Sequence, residues 1–212
     1  MEDDYKKAIA IIQGKGEGIK ETLQEILLKI KPEINTLKLF KDSRVSLLYH
    51  AAVHENEEAF DILLANGADP ALKSDQGTVL HSILKRGNVS WADKCIMNMD
   101  EQSRIKFINQ GSKTGWTALM SAAENKQVES VDWLICNGAD VNIKMEKTGW
   151  NALHAAAKMS HYDILNSLLK AGGDVTAKGF HKVYGQNLTL KDLTTEKKLL
   201  DLISEYENKQ EK

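Results

Sequence analysis

The chain has 212 residues, of which 42% are hydrophobic and 27% are charged, and its formal net charge is −2. This composition supports a packed core of one or two domains, excludes a disordered or proline-rich chain, and gives no sign of a nucleic-acid binder. No apolar stretch approaches the roughly 20 residues that cross a bilayer, so we expect no membrane partner. The acidic N-terminus and two widely spaced cysteines favour a cytoplasmic location, with the nucleus as the alternative.

Residues 1–40 predict a helical N-terminal cap. Ile19, Leu23 and Ile26 lie on one stripe with helical spacing, and the stripe ends before Pro32. A second apolar group around Ala8 indicates a preceding helix. Because stacked structures need terminal units with a polar outer face, we expect these helices to close one end of a stack.

The middle of the chain repeats itself. The segment Lys113–Leu119 returns at Lys147–Leu153, 34 residues later, and Asn-Gly-Ala-Asp occurs at 66–69 and again at 137–140. Each repeat predicts two short helices and a turn, with Thr117 as an N-cap in one of them. Neither helix is long enough to be stable alone, so each must bury its apolar stripe against the next unit.

These motifs resemble the ankyrin repeat family, whose units begin with a Thr-x-x-His segment and end near Gly-Ala-Asp. The matching units begin at Ser46, Thr78, Thr117 and Asn151 and together cover about residues 41–178. The resemblance implies an all-α ankyrin-repeat solenoid of stacked helix-turn-helix units with hairpin loops. We divide this single domain into a cap (1–40), four repeats (41–73, 74–111, 112–145 and 146–178), a degenerate capping repeat (179–206) and a frayed tail (207–212).

Two departures from the family pattern predict local features. The glycine between the paired helices survives only as Gly87, and Glu55, Lys126 and Ser160 stand in its place elsewhere. If these three residues adopt a positive φ, each carries strain. The second repeat is also longer than its neighbours, which predicts a helical insertion near residues 98–108.

The sequence shows no convergent set of catalytic or metal-binding side chains, so we expect neither an enzyme nor a cofactor. His81 and His154 occupy the repeat's own histidine position. In the family this histidine is structural and bonds the backbone and the threonine hydroxyl between neighbouring units. The expected function is therefore binding.

The resemblance places Trp116 and Trp150 on the hairpin side, facing the concave groove. Exposed tryptophan is uncommon and is enriched in binding sites, which makes both indoles candidate anchors. The alternative is that each indole only covers its own hairpin and the next one. Neighbouring groove positions are rich in lysine, which favours acidic partners. The candidate partner-binding residues are His54, Arg86, Lys113, Trp116, Glu124, Asn125, Lys147, Trp150, Lys158 and Met159.

The sequence thus predicts a monomeric, non-enzymatic protein–protein interaction module. Its partner would be a protein surface or an extended peptide with acidic and apolar groups, bound in the concave groove. One alternative is a regulatory subunit or inhibitor of an enzyme, including a host-directed effector. Another is a methyl-lysine reader, because a cage of tryptophans with a nearby acid such as Glu124 binds methylated cations.

Overall fold

The computed structural model describes residues 2–14, 19–30, 34–35, 38–40, 43–181 and 185–210. Helices α1 (Glu2–Gln13) and α2 (Ile19–Ile30) form the N-terminal cap and pack on the first repeat. Strands β1 (Lys38–Phe40) and β2 (Ser43–Val45) then form an antiparallel hairpin. The expected cap boundary at residue 40 therefore falls inside this hairpin. Pro32 and the loop between the two cap helices lie outside the described residues.

Four helix pairs come next, as the repeat pattern predicts. Their bounds are α3 (Leu47–Val53) with α4 (Glu57–Ala65), α5 (Val79–Leu84) with α6 (Val89–Ile96), α8 (Ala118–Glu124) with α9 (Val128–Cys136), and α10 (Ala152–Lys158) with α11 (Tyr162–Lys170). The first helices of the pairs, the inner helices, stack in the order α3, α5, α8, α10. Fully buried Ala122 and Ala156 allow α8 and α10 to approach closely.

The residues that replace the inter-helix glycine confirm the predicted strain. Glu55, Lys126 and Ser160 have φ values of 53°, 59° and 55°, close to the left-handed region that Gly87 occupies at 81°. A non-glycine residue in this region costs about 1 kcal/mol or more. The three units without the glycine therefore hold this turn by their surrounding packing and not by local preference.

A helix, α7 (Glu101–Ile108), occupies the predicted insertion after α6. Its C-terminal residues Phe107 and Ile108 are buried in the common core. Asn109 follows, and its side-chain amide donates to the Gly138 carbonyl at 2.9 Å while its Oδ1 accepts from the Asp140 N–H at 2.7 Å. The insertion is thus fastened to the third repeat at its C-terminal end.

The same two-bond clamp recurs at two other junctions and helps to hold the units there in register. Equivalent bonds join Asn35 to Gly67 and Asp69, and Asn142 to Gly172 and Asp174. In the fourth repeat Thr176 stands where the third has Asn142, and its hydroxyl bonds Asp174 within the same unit. The clamp therefore ends at the fourth repeat.

The C-terminal cap departs from a helix pair. Strands β3 (Gly179–His181) and β4 (Gln186–Leu188) form an antiparallel hairpin, and a 3-10 turn at Lys191–Leu193 leads to helix α12 (Lys197–Gln210). The chain is therefore helical through Gln210, which corrects the expectation of a frayed tail from residue 207. Residues 211–212 lie outside the described part.

Candidate functional site

His81 ties the second repeat to the third and so positions the candidate site. Its Nδ1 accepts from the Thr78 N–H at 3.1 Å, and its Nε2 lies 2.8 Å from the Trp116 carbonyl oxygen. Burial lowers the pKa of His81, which keeps the ring neutral and suited to one donor and one acceptor role. The structural role expected for this histidine is confirmed.

A cleft of about 510 Å³ opens on the inner-helix side of the first three repeats. We call it the groove cleft. The ends of α3, α5 and α8 and the hairpins before α5 and α8 line it. Its larger or charged side chains are Tyr49, Asp75, Lys85, Arg86, Trp116 and Glu124, with Asn125 beside them. Four predicted site residues, Arg86, Trp116, Glu124 and Asn125, therefore meet in one place.

Trp116 lines the groove cleft and is half-buried. Its indole N–H donates to the Ser121 Oγ at 2.9 Å, while its backbone carbonyl is bound by the His81 ring. The first bond fixes the ring, and the second fixes the backbone that carries it, before any partner arrives. An aromatic surface that is already immobilised loses little conformational entropy on binding.

The groove cleft contains charged side chains of both signs. Arg86 and Lys85 differ in how far the protein's own groups bind them. The Arg86 Nε lies 3.2 Å from a Glu55 carboxylate oxygen, and one of its terminal nitrogens donates to the backbone and hydroxyl oxygens of Ser82. Arg86 is therefore held by the protein's own groups. Lys85 is exposed and makes no ion pair within the described residues. The groove cleft is thus not basic by itself.

The predicted basic character lies in a second cleft of about 310 Å³ at the tips of the hairpins. We call it the tip cleft. Lys73, Lys113, Lys144 and Lys147 line it together with the acid Glu146. Ser112 and Thr114 line both clefts, so the two adjoin each other.

Trp150 differs from Trp116 although both follow the same Lys-Thr-Gly motif. Its indole N–H donates to the Phe180 carbonyl at 3.0 Å in the C-terminal cap. The Lys158 Nζ lies 5.6 Å from the centroid of the indole, and the His154 ring centroid lies 5.5 Å away. Trp150 lines neither cleft, and its surroundings fit the alternative in which the indole covers the next hairpin.

The remaining candidate residues lie elsewhere. Met159 is 44% exposed at the end of α10, and the His54 ring stacks on the His50 ring; neither lines the groove cleft or the tip cleft. Conversely, the sequence-based set missed Tyr49, Lys73 and Lys144. The two lysines could have been identified from the sequence, because both lie in segments between a Gly-Ala-Asp turn and the next inner helix.

The described residues contain no group of three or more His, Cys, Asp or Glu side chains arranged to hold a metal ion. Within the same ranges, no helix is both long enough and apolar enough to cross a membrane.

Comparison with known proteins agrees with this architecture. The family description "Ankyrin repeats (3 copies)" matches residues 47–145, and "Ankyrin repeat" matches residues 148–180. Alpha-latrotoxin-Lg1a of Latrodectus geometricus is 34% identical over 102 residues, a match that spans 46% of this chain and 7% of the toxin. With its stacked helix pairs, its histidine bridge between repeats and family matches over more than half of its length, the chain belongs to the ankyrin repeat family.

Proposed function

We propose that this protein binds a segment of another protein along the groove cleft, without catalysis. An apolar side chain of the segment would pack against Trp116, and acidic residues of the segment would face the lysines of the adjoining tip cleft. Ankyrin repeats generally mediate protein–protein interactions and are typically non-enzymatic. The acidic and apolar segment, and the residues that would bind it, go beyond that general property.

The observation that carries the proposal is the state of Trp116. It is half-buried, its N–H and its carbonyl are already bonded, and it faces a cleft of about 510 Å³ that Tyr49 of the first repeat also lines. Binding energy concentrates on such rigid aromatic residues in concave, partly desolvated positions. Half-buried Glu124 lines the same cleft and would set the orientation of the segment.

This proposal gives a smaller part in binding the segment to four of the predicted residues, Trp150, Lys158, Met159 and His54. The Trp150 N–H is used by the cap, and one face of its ring is occupied by Lys158. A partner would have to displace Lys158 before it could contact that face. We therefore assign Trp150 chiefly to packing and expect Met159 to contribute at most at the rim.

Site-specific photo-crosslinking tests the proposal. A benzophenone amino acid replaces Lys85 in the groove cleft, or Met97, which is 72% exposed on the second repeat's outer side, and each protein is irradiated in lysate of the source cell. We expect a discrete crosslinked protein from position 85 and none of the same mass from position 97. Identical products from both positions, or none from position 85, would refute groove binding.

A matched pair of tryptophan variants sharpens the test. Trp116→Ala removes the groove indole, and Trp133→Ala removes another half-buried indole whose N–H bonds Asp93 at 2.8 Å on the outer helices. Both variants lose one ring and one hydrogen bond. Crosslinking from position 85 should fall at least tenfold in Trp116→Ala and stay within twofold in Trp133→Ala.

The two alternatives predict further outcomes of the same capture. If the crosslinked protein is an enzyme, a competitive decrease in its rate on addition of this chain identifies a regulatory subunit or inhibitor. A methyl-lysine reader would prefer a trimethylated over an unmethylated tail peptide, and equal affinities exclude it. The exposed cation Lys85, in the same cleft as Trp116, opposes a cationic ligand.

A further inference from the structure

The tip cleft has an unbalanced charge. Four lysines line it against Glu146, and only Lys144 has an ion-pair partner among the described residues, Asp174 at 3.5 Å. Lys73, Lys113 and Lys147 are exposed and make no ion pair or hydrogen bond within the described residues. Their repulsion is tolerable in water, but it leaves a site where an anion gains several favourable interactions at once.

Glycine backbone and small hydroxyl groups form part of the lining of the tip cleft. The hairpin arms approach so closely that a Cβ added to Gly111 would lie 3.0 Å from the Gly115 carbonyl group. The Ser112 and Thr114 hydroxyl oxygens lie 3.0 Å apart beside these glycines. The larger side chains that line the cleft besides the lysines are Ile143 and Glu146. The hydroxyl groups of Ser112 and Thr114 can reorient to donate to a bound oxygen.

Three different repeats supply the lysines. Lys73 precedes the second inner helix, Lys113 precedes the third, and Lys144 and Lys147 precede the fourth. The stacking of the units brings them around one cleft of about 310 Å³, although up to 74 residues separate them along the chain. A compact, multiply charged group matches this arrangement better than one carboxylate, because a phosphate monoester carries about 1.5 to 2 negative charges and three acceptor oxygens.

We propose that the tip cleft binds the phosphate group of a phosphorylated residue on the partner segment. This inference rests on the proposed function, because the segment reaches the tip cleft from the groove cleft across the shared residues Ser112 and Thr114. Lys73, Lys113 and Lys147, which make no ion pair within the described residues, provide the positive charges. The phosphorylation state of the partner would then control binding.

Titration with small probes tests the tip cleft directly. The probes are the capped tripeptides Gly-phosphoSer-Gly, Gly-Ser-Gly and Gly-Glu-Gly, with inorganic phosphate as a fourth arm, all at equal ionic strength. Backbone amide NMR shifts of the full chain report the site. We expect saturable shifts at residues 111–115 and 146–149 with the phosphopeptide, and at least tenfold weaker binding of the Ser and Glu peptides.

Charge-matched variants supply the control. Lys113→Glu/Lys147→Glu should weaken phosphopeptide binding at least tenfold, whereas Lys106→Glu/Lys170→Glu, which makes the same charge change on exposed outer positions, should stay within twofold. Circular dichroism confirms that both variants fold.

The outcomes separate this inference from the proposed function. No saturable shift, equal binding of the Glu peptide, equal loss in both double variants, or binding of inorganic phosphate without binding of the phosphopeptide would each overturn the phosphate site. None of these results affects crosslinking from position 85, which tests the groove cleft alone. If crosslinking from position 85 fails but the phosphopeptide binds with the expected preference, the phosphate site in the tip cleft is supported. Binding of the segment along the groove cleft is then refuted.

Discussion

Two junctions of this solenoid each involve a repeat histidine and a tryptophan that follows a Lys-Thr-Gly motif. The hydrogen bonds of these side chains differ between the two junctions. At the middle junction, between the second and third repeats, His81 bonds the Trp116 carbonyl, and the Trp116 N–H bonds Ser121 in its own repeat. At the terminal junction, between the fourth repeat and the C-terminal cap, the buried His154 Nε2 has no hydrogen-bond partner among the described residues. There the Trp150 N–H instead bonds the cap at Phe180.

The difference comes partly from the repeat itself, because Ala155 stands where the third repeat has the acceptor Ser121, and partly from the element next in the chain. After the second repeat comes a regular hairpin whose carbonyl group reaches the histidine ring. After the fourth comes strand β3, where Gly179 lies under the Trp150 ring, so that a Cβ there would be 2.5 Å from the indole Cδ1. A repeated motif therefore fixes the local backbone, but its neighbour decides whether the indole faces a cleft or closes a junction.

Replacing each of the two histidines in turn should give the largest difference in unfolding free energy between the two junctions. His81→Ala removes a buried ring and its bond to Trp116, and we expect it to lower the free energy of unfolding by about 3 kcal/mol. His154→Ala should cost about 1 kcal/mol less, because the His154 Nε2 bonds no group in the described part of the chain. Urea denaturation followed by circular dichroism measures both, and equal losses would contradict the contrast.

A methyl group under Trp150 should disturb the terminal junction alone. Gly179→Ala must displace the indole, at a cost of about 2 kcal/mol, and should shift the Trp150 indole N–H signal in NMR spectra. Gly115→Ala is the control. Its φ of +82° makes alanine unfavourable by about 1 kcal/mol, but the nearest atom to its Cβ is 3.5 Å away. An unmoved Trp150 signal in Gly179→Ala would show that the ring does not depend on this contact.

The asparagine clamp formed by Asn109 should contribute to the free energy of unfolding. Asn109→Ala removes the bonds to Gly138 and Asp140, and we expect a loss of about 1.5 kcal/mol with faster amide exchange in α7. Asn137→Ala is matched, because that side chain bonds the Trp133 carbonyl within its own repeat. Similar losses in both variants would mean that the bonds between units contribute nothing extra.

Lowering the pH should gradually lower the free energy of unfolding, and the protonation of His154 is one cause. Burial lowers the pKa of His154 from 6.5 to about 4, and nearby Lys144 contributes while Asp174 opposes the shift. The unfolded chain therefore binds the proton first. The stabilisation is complete above about pH 6.5 and is lost as the pH falls towards 4, at no more than about 1.4 kcal/mol per pH unit for this group.

His154→Gln tests this assignment. Its free energy of unfolding should fall less steeply between pH 6.5 and 4 than that of the wild type, although some slope remains because His50 also has a pKa of about 4. Urea denaturation at several pH values measures both curves. Parallel curves would place the pH dependence in other groups.

Much of the fold could be predicted from periodicity because local patterns repeat in phase. The 34-residue offset identified the helix pairs, and the missing glycines identified the three turns with positive φ. The site was predicted less well. Arg86 lines the groove cleft, but its ion pair with Glu55 depends on how the ends of two helix pairs come together.

The sequence by itself determined the ankyrin stack, the structural histidines and the three turns with positive φ, since these depend on spacing within one unit. Only the tertiary structure decided that Trp116 faces a cleft while Trp150 packs on the cap, and that Lys73 and Lys144 join Lys113 and Lys147. These outcomes depend on contacts between units about 30 or more residues apart, where the geometry of the neighbouring hairpin adds to the local motif in setting the surroundings of each side chain.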